Sequence, residues 1–361
     1  MQQVTYFLSE RPAEGANAGS KARNDVEAIL RALGYTPFEH LEERRFPSKL
    51  RKLFHKASPA YLRKLAKIEH FRGHRLVLQY PFYYDAVTLC CLRRLVRQNR
   101  TLLVVHDVDA LRHFGRVSEA DELAVLRSAA CLIVHNAQMA AELRARGVWT
   151  PMVGLGAFDY LLDAPFPAQE RHLAPSVAFA GNLAKSKFLQ DAAFLQLPLD
   201  AHLYGVGFDA ARFPGERIHY HGSFPPDRVP YEMEGSFGIV WDGTSAGTCT
   251  GPMGEYLRYN NPHKLSLCLA AELPVITWRE AAIAHFVEAQ GIGFTVDALT
   301  DIPAHIAALS EADYEAYREN LRPLQQEACT GQFLRRALAK AEDISEKNKW
   351  NGMTRMEKQH E

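Results

Sequence analysis

The sequence lacks the usual marks of a secreted or membrane-spanning protein. Its six cysteines, at positions 90, 91, 131, 249, 268 and 329, have neither disulfide-framework nor zinc-site spacing. No stretch approaches the roughly 18 apolar residues of a membrane span. The first residues, Met1 to Glu10, contain no charged leader with an apolar core. We therefore expect reduced cysteines and a cytoplasmic location.

The chain also lacks an excess of either charge, because 42 basic residues balance 42 acidic ones. Without a global positive field, no nucleic-acid partner is expected. Residues 44–75 are a local exception, with eleven Lys or Arg against Glu69 and with Leu50, Leu53 and Phe54 at helical spacing. This basic segment is a candidate for peripheral contact with an anionic membrane. A solvated helix or an oligomer contact are the alternatives.

Short apolar runs rich in β-branched residues alternate with helical segments along most of the chain. They read VTYFL, HRLVLQY, TLLVVHDV and CLIVHNA, then SVAFAGN, HLYGVG, FGIVWDG, LPVITW and GIGFTV. Such alternation predicts an α/β protein with two doubly wound, Rossmann-like parallel sheets. We place the first domain at 1–155, a Pro-rich linker at 156–176, the second domain at 177–325, and a C-terminal helix and polar tail at 326–361. Ligands of such folds bind beyond the carboxyl ends of the strands.

A polar cluster, NNPHK, lies between the run FGIVWDG and an apolar helical segment. Asn260 and Asn261 are predicted helix N-caps, and Pro262 suits the first turn. A helix start at this edge offers free N–H groups and the positive end of a dipole to an anion. His263 and Lys264 would then face the cleft, with Lys264 as a mobile cation. The alternative is a simple cap beside a solvated lysine.

Several motifs occur together in the order of one known family. They are SKARNDVEAILRALGY, LVLQYPFYYDAV, VVHDVDALR, LIVHNAQMAAELRARGV, FDYL, VAFAGNLAKSKFL and the region from SFGIVWDG to GIGFTV. From about Ser20 to Val296 the chain resembles bacterial GT-B glycosyltransferases. That group contains β-1,6-galactofuranosyltransferase-like enzymes and the glucosyltransferases that extend O-linked sugars on serine-rich repeat adhesins. The Gly/Thr-rich segment from Thr244 to Gly254 departs from the pattern.

The resemblance implies an inverting, metal-independent hexosyltransferase that moves a glucosyl or galactofuranosyl unit from a UDP-sugar. It implies no cofactor besides this co-substrate. The acceptor would be a saccharide on a glycoprotein, polysaccharide or glycolipid, and the enzyme a homo-oligomer. Preorganised N–H donors and a cation would stabilise the diphosphate as it leaves. The predicted donor-binding residues are Gly181, Asn182, Lys185, Tyr204, Gly205, Asp242, Asn260, Asn261, His263 and Lys264.

The acceptor hydroxyl needs a base, and VVHDVDALR ends an apolar strand with His106 and Asp107. We predict Asp107 as the base, with His106 second. In the alternative reading, Asp107 caps the next helix and pairs with Arg112. Arg112, Asn17 and Lys21 are predicted contacts on the acceptor side.

Three motifs also fit other functions. The spacing of Asp107 and Asp109 matches a metal-binding carboxylate pair. Residues 243–247 match the G-x-S-x-G pattern of serine hydrolases, but TCTGPMG is not expected to continue as the required helix. His219 and His221 alternate on one strand without a third ligand in view, which is typical of structural histidines. A non-catalytic nucleotide-binding or partner subunit of a transferase complex is the remaining alternative.

Overall fold

Two wholly parallel sheets of six strands each organise the computed structural model, which describes residues 4–11, 18–42, 56, 58–82, 84–113, 118–167 and 169–357. This architecture confirms the predicted pair of doubly wound α/β domains. The strands are buried on both faces, as in the strand Arg75–Tyr80, where Leu76, Val77 and Leu78 are at most 1% exposed. Helices cover both faces, which explains the continuous apolar runs in the sequence.

The N-terminal sheet has the strand order β2-β1-β3-β4-β5-β6. Asp85, Ser118 and Asn136 each cap a helix that follows them by accepting a bond from a backbone N–H. The strands are β1 Thr5–Arg11, β2 Thr36–Glu42, β3 Arg75–Tyr80, β4 Arg100–Val105, β5 Cys131–Val134 and β6 Met152–Gly154. The described helices are α1 Ala18–Ala32, α2 Pro59–His70, α3 Ala86–Gln98, α4 Glu119–Ser128 and α5 Ala137–Ala145.

The C-terminal sheet has the order β12-β11-β10-β7-β8-β9. Its strands are β7 Ser176–Ala180, β8 Asp200–Tyr204, β9 Ile218–Gly222, β10 Phe237–Val240, β11 Val275–Trp278 and β12 Gly293–Val296. The helices are α6 Ala192–Leu195, α7 Val229–Glu232, α8 Gly251–Tyr256, α9 His263–Ala270, α10 Ala284–Gln290, α11 Ile302–Ala308, α12 Glu311–Cys329 and α13 Gln332–Glu357. Short 3-10 turns occupy Lys187–Gln190, Ala210–Arg212 and Leu299–Asp301.

The last helix, α13, returns to the N-terminal sheet. Asp159, on the segment between the sheets, accepts bonds from the backbone N–H groups of Phe333 and Leu334 at the start of this helix. Farther along, Ser345 accepts a bond from Arg100 at the start of β4. The helix therefore joins the two domains on the side of the N-terminal sheet where β4 begins.

Strand order reverses once in each sheet, between β1 and β3 and between β7 and β10. Ligands of open α/β sheets bind in the crevice outside the carboxyl ends of the strands at such a point. The candidate binding residues are therefore those that follow β7 and β10, and those that follow β1, β3 and β4.

Candidate active site

Three predicted donor residues meet at the point where strand order reverses in the C-terminal sheet. Gly181 follows β7, Asp242 follows β10, and Lys264 is the second residue of α9. The Lys264 Nζ lies 3.1 Å from Asp242 Oδ2 and 5.3 Å from the centroid of the Phe179 ring. A Cβ atom at position 181 would lie 3.8 Å from Lys264 Cε. The two charged side chains keep 22% and 24% exposure, so the lysine remains reachable by a ligand.

The start of α9 differs from the prediction. The helix begins at His263, and the residue before it, Pro262, has no side-chain group that could cap the first turn. Asn261 does not cap the helix because it is buried against the N-terminal domain. Its Nδ2 donates to the carbonyl oxygens of His135 and Gly156, at 2.8 and 2.7 Å. Without a side-chain cap on this turn, its N–H groups can receive an anion.

Two side-chain atoms beside this helix start are buried and lack a hydrogen-bond partner within the described part of the chain. They are Asn260 Oδ1 and His263 Nε2. The His263 ring packs 5.1 Å from that of Tyr160. Burial, with a contribution from Lys21, lowers the pKa of His263 to about 3, so the imidazole is neutral. Buried polar atoms of this kind are rare and are often completed by a ligand or water.

The loops after β7 and β8 are packed backbone to backbone. Leu183 N–H donates to the Val206 carbonyl at 2.9 Å. A Cβ atom at Gly205, whose φ is +123°, would lie 1.9 Å from the Gly181 carbonyl oxygen. Gly205 therefore permits this close approach of the backbone, whereas a Cβ atom at Gly181 would meet the Phe179 ring at 3.2 Å. Asn182 Oδ1 accepts from the N–H of Lys185, whose side chain is exposed.

Tyr204 is not placed as predicted. Its ring is 1% exposed and stacks on His221, with 4.7 Å between ring centroids. Its hydroxyl accepts a bond from Glu234 N–H at 2.9 Å. The ring would have to leave the core in order to stack on a nucleotide, because the side chain points into the sheet's packed face.

The proposed base follows β4 in the N-terminal domain. Asp107 retains 30% side-chain exposure and pairs with Arg112 Nη1 at 2.8 Å. Burial raises the pKa of Asp107 to about 6, despite the opposing effect of Arg112. His106 Nε2 lies 2.8 Å from Gln79 Oε1, and its ring stacks on Phe158. Burial and the nearby Arg23 hold the pKa of His106 well below its usual range.

One guanidinium holds both carboxylates of the candidate metal pair. Arg112 Nη2 lies 2.7 Å from Asp109 Oδ1, and Asp109 is 3% exposed. Asp107 and Asp109 thus form an ion-paired loop. The alternative reading is correct that Arg112 pairs with Asp107, but no helix begins at Asp107, so the predicted cap is wrong. Arg112 binds carboxylates of its own loop and is not a free acceptor contact.

Two further residues hold this loop, and neither was predicted from the sequence. Glu122 is 1% exposed and accepts bonds from the N–H groups of Asp109 and Ala110 at 2.9 and 2.7 Å. The hydroxyl of Tyr256, on α8 of the other domain, accepts from Val108 N–H at 3.1 Å. For Glu122, the sequence offered only a weak signal, which is an acidic residue within the segment that forms α4. Nothing in local spacing could connect Tyr256 to a residue 148 positions away.

Of the predicted acceptor contacts Asn17 and Lys21, the structure describes only Lys21, on α1. Asn17 lies outside the described residues. Lys21 is buried, and its Nζ lies 2.7 Å from Asp25, 2.7 Å from Asp227 and 2.6 Å from the Leu161 carbonyl. Three acceptors match the three protons of the ammonium group. Lys21 therefore links α1 to the C-terminal domain, and its ammonium group already has three acceptors.

The basic segment is also only partly described, because residues 43–55 and 57 lie outside the described ranges. They include Leu50, Leu53 and Phe54, so the membrane contact stays a prediction. Within the described remainder, Lys67 pairs with Glu39, and Glu69 pairs with an arginine of α3. Among the helices that the structure describes, none is long and apolar enough to cross a bilayer.

The G-x-S-x-G segment has a geometry unlike that expected of a nucleophile. The Ser245 hydroxyl accepts from Gly247 N–H at 3.0 Å, and its carbonyl accepts from the Trp241 indole. A short helix, α8, does begin within this region at Gly251, contrary to the expectation from TCTGPMG. Ser245 nevertheless lies several residues before that helix and not at a strand-to-helix elbow.

Comparison with known proteins agrees with this architecture. The family model described as Glucosyltransferase 3-like, N-terminal domain, matches residues 5–157, and its C-terminal counterpart matches residues 177–341. The β-1,6-galactofuranosyltransferase WbbI of Escherichia coli K12 is 31% identical over 271 residues, covering 73% of this chain and 76% of that protein. Glucosyltransferase 3 of Streptococcus gordonii is 24% identical over 250 residues, covering 68% and 72%.

Solved structures share the fold at low identity. Sucrose-phosphate synthase from Thermosynechococcus elongatus has a TM-score of 0.58 and 16% identity, over 92% of this chain and 99% of that one. An α-glucosyltransferase solved with UDP and a 13-mer DNA has a TM-score of 0.56 and 11% identity, over 95% and 99%. Both likenesses concern the GT-B arrangement of two domains.

Proposed function

Because the chain belongs to the Glucosyltransferase 3-like family and is a hexosyltransferase of GT-B fold, we propose that its donor is a UDP-sugar. A glucosyl or galactofuranosyl unit passes to a hydroxyl group of a saccharide acceptor, with inversion and without a metal ion. The α-glucosyltransferase of similar fold that was solved with UDP supports this choice of donor.

The observation that carries the proposal is the cluster where strand order reverses in the C-terminal sheet. Lys264, the N–H groups at the start of α9 and the glycine backbone after β7 surround one small region. As the bond between the sugar and the diphosphate breaks, negative charge grows on the leaving oxygens. Preorganised N–H donors and a cation stabilise that charge in a partly desolvated site. Asp242 holds Lys264 in place until the diphosphate arrives.

Asp107 has a different task, which is to accept the proton of the acceptor hydroxyl. With a pKa of about 6, this carboxylate is mostly ionised at neutral pH and close enough to that pH to accept a proton effectively. The acceptor hydroxyl attacks the anomeric carbon, its proton passes to Asp107, and UDP leaves with the bonding electrons. A single displacement of this kind inverts the anomeric configuration.

Purified protein should be screened for UDP release with UDP-glucose, UDP-galactofuranose and other nucleotide sugars, in the presence of a saccharide acceptor. We expect turnover with one UDP-sugar and essentially unchanged turnover after chelator treatment, since the protein supplies the charge stabilisation. An absolute requirement for an added divalent ion would contradict the metal-free mechanism. Binding of UDP without any turnover would instead support a non-catalytic subunit.

A further inference from the structure

Three side chains that can bind a metal converge beside β9, the last strand in the order of the C-terminal sheet. His202 lies on β8, His221 on β9, and Glu234 on the segment before β10. One ligand atom from each lies within 4.8 Å of the other two. His202 Nδ1 is 3.0 Å from His221 Nε2 and 3.6 Å from Glu234 Oε2.

These separations fit a tetrahedral ion. Zinc binds histidine nitrogen and carboxylate oxygen at about 2.0–2.2 Å, so two tetrahedral ligand atoms lie roughly 3.3 Å apart. The distances from His202 Nδ1 to the other two ligand atoms, 3.0 and 3.6 Å, fall on either side of that value, and all three ligand atoms lie within 4.8 Å of one another. Small rotations of Glu234, whose side chain is 63% exposed, would adjust its oxygen to the ion.

The chemical environment also suits a cation. Glu234 supplies one negative charge. The His202 and His221 side chains retain 15% and 24% exposure, which leaves a route for the ion.

We propose that His202, His221 and Glu234 bind a divalent transition-metal ion of the zinc class, with water as the fourth ligand. The ion fastens the segment before β10 to strands β8 and β9. The same segment carries Asp227, which binds Lys21 of the N-terminal domain. The role is structural, because Glu234 precedes β10 whereas Asp242, the partner of Lys264, follows the other end of that strand.

The test uses zinc chloride titrated into chelator-stripped protein, followed by calorimetry and by thermal unfolding. We expect one bound zinc and a Tm higher by a few degrees in its presence. His221→Gln and His202→Gln should each lower zinc affinity at least about a hundredfold, because even indirect partners of metal ligands contribute 10- to 100-fold. Affinity should also fall as the pH is lowered, because protons compete with the ion for the ligand atoms.

His219→Gln is the matched control. His219 is on the same strand, its ring stacks 5.1 Å from that of His202, and its Nε2 lies 3.2 Å from Asp200. This variant should bind zinc like the parent, and the three histidine variants should retain glycosyl transfer. No binding to the parent would show that His202 and His221 share only a hydrogen bond. Equal binding by parent and His221→Gln would also overturn the proposed site.

Discussion

The two faces of the cleft differ in how completely their polar groups are bonded. On the N-terminal face, Asp107 and Asp109 share Arg112, and Glu122 and Tyr256 accept from the backbone of the same loop. On the C-terminal face, the contacts described give Lys264 one carboxylate partner, and His263 Nε2 is buried without a partner.

This difference corresponds to two chemical tasks. A base must be held in one position with a tuned pKa before the acceptor arrives, so a closed network suits it. A diphosphate site must keep some hydrogen-bond donors unpaired in the free protein, because the oxygen atoms of the ligand are the acceptors. Under the proposed function, the helix start with unpartnered groups lies on the donor side and the fully bonded loop lies on the acceptor side.

The largest expected effect is on the N-terminal face. Asp107→Asn should lower kcat by about 10²- to 10⁴-fold, the range of general base catalysis, with near-normal UDP affinity. Asp121→Asn, which changes an exposed carboxylate on α4, is the control and should keep kcat and UDP affinity at the parent's values. Turnover of Asp107→Asn at the parent rate would assign the base elsewhere.

Next comes the C-terminal face. Lys264→Ala should reduce kcat/KM by on the order of a hundredfold or more and weaken UDP binding, since it removes charge at the leaving group. Lys340→Ala, an exposed lysine on α13, should leave both unchanged. If a folded Lys264→Ala protein binds UDP and turns over like the parent, NNPHK is an ordinary helix start without a role in donor binding.

Gly205→Ala tests whether the donor face depends on close backbone contact. The new methyl group would overlap the Gly181 carbonyl, in addition to the roughly 1–3 kcal/mol cost of a positive φ. Gly215→Ala shares a similar φ of +116° and has nothing within 4 Å. The free energy of unfolding, measured in urea, should therefore fall more for Gly205→Ala. Equal losses would mean that the overlap is relieved without cost.

The smallest effect concerns the contact between the faces. Tyr256→Phe removes one hydroxyl, whose hydrogen bonds contribute about 1 kcal/mol each, and kcat should fall about tenfold or less. The hydroxyl also lowers the pKa of Asp107, so its loss should move the acidic limb of kcat/KM upward from about pH 6. Activity declines below that midpoint because the base gains a proton. If the acidic limb of the kcat/KM profile does not move and kcat is normal, Tyr256 contributes only to packing.

Local sequence was sufficient for much of the fold and for part of the site. Apolar runs with β-branched residues indicated the parallel sheets, because strands buried on both faces must be apolar throughout. The glycines after β7 and β8 and the lysine of NNPHK were recognisable because each stands within a few residues of an apolar run or a helix start that the sequence itself shows. Family resemblance then connected the chain to sugar transfer, and the matched family models and relatives confirm that the chain is a hexosyltransferase.

Only the tertiary structure decided which polar groups are already bonded. Asn261 was predicted to cap a helix and instead bonds to carbonyl groups at positions 135 and 156. Lys21 was predicted to meet a ligand and instead meets Asp227, and Tyr256 supports a loop of the other domain. Each partner lies more than 100 residues away along the chain. Spacing in the sequence reports which groups can share a helix or strand, whereas the packing of two domains determines which distant groups satisfy one another.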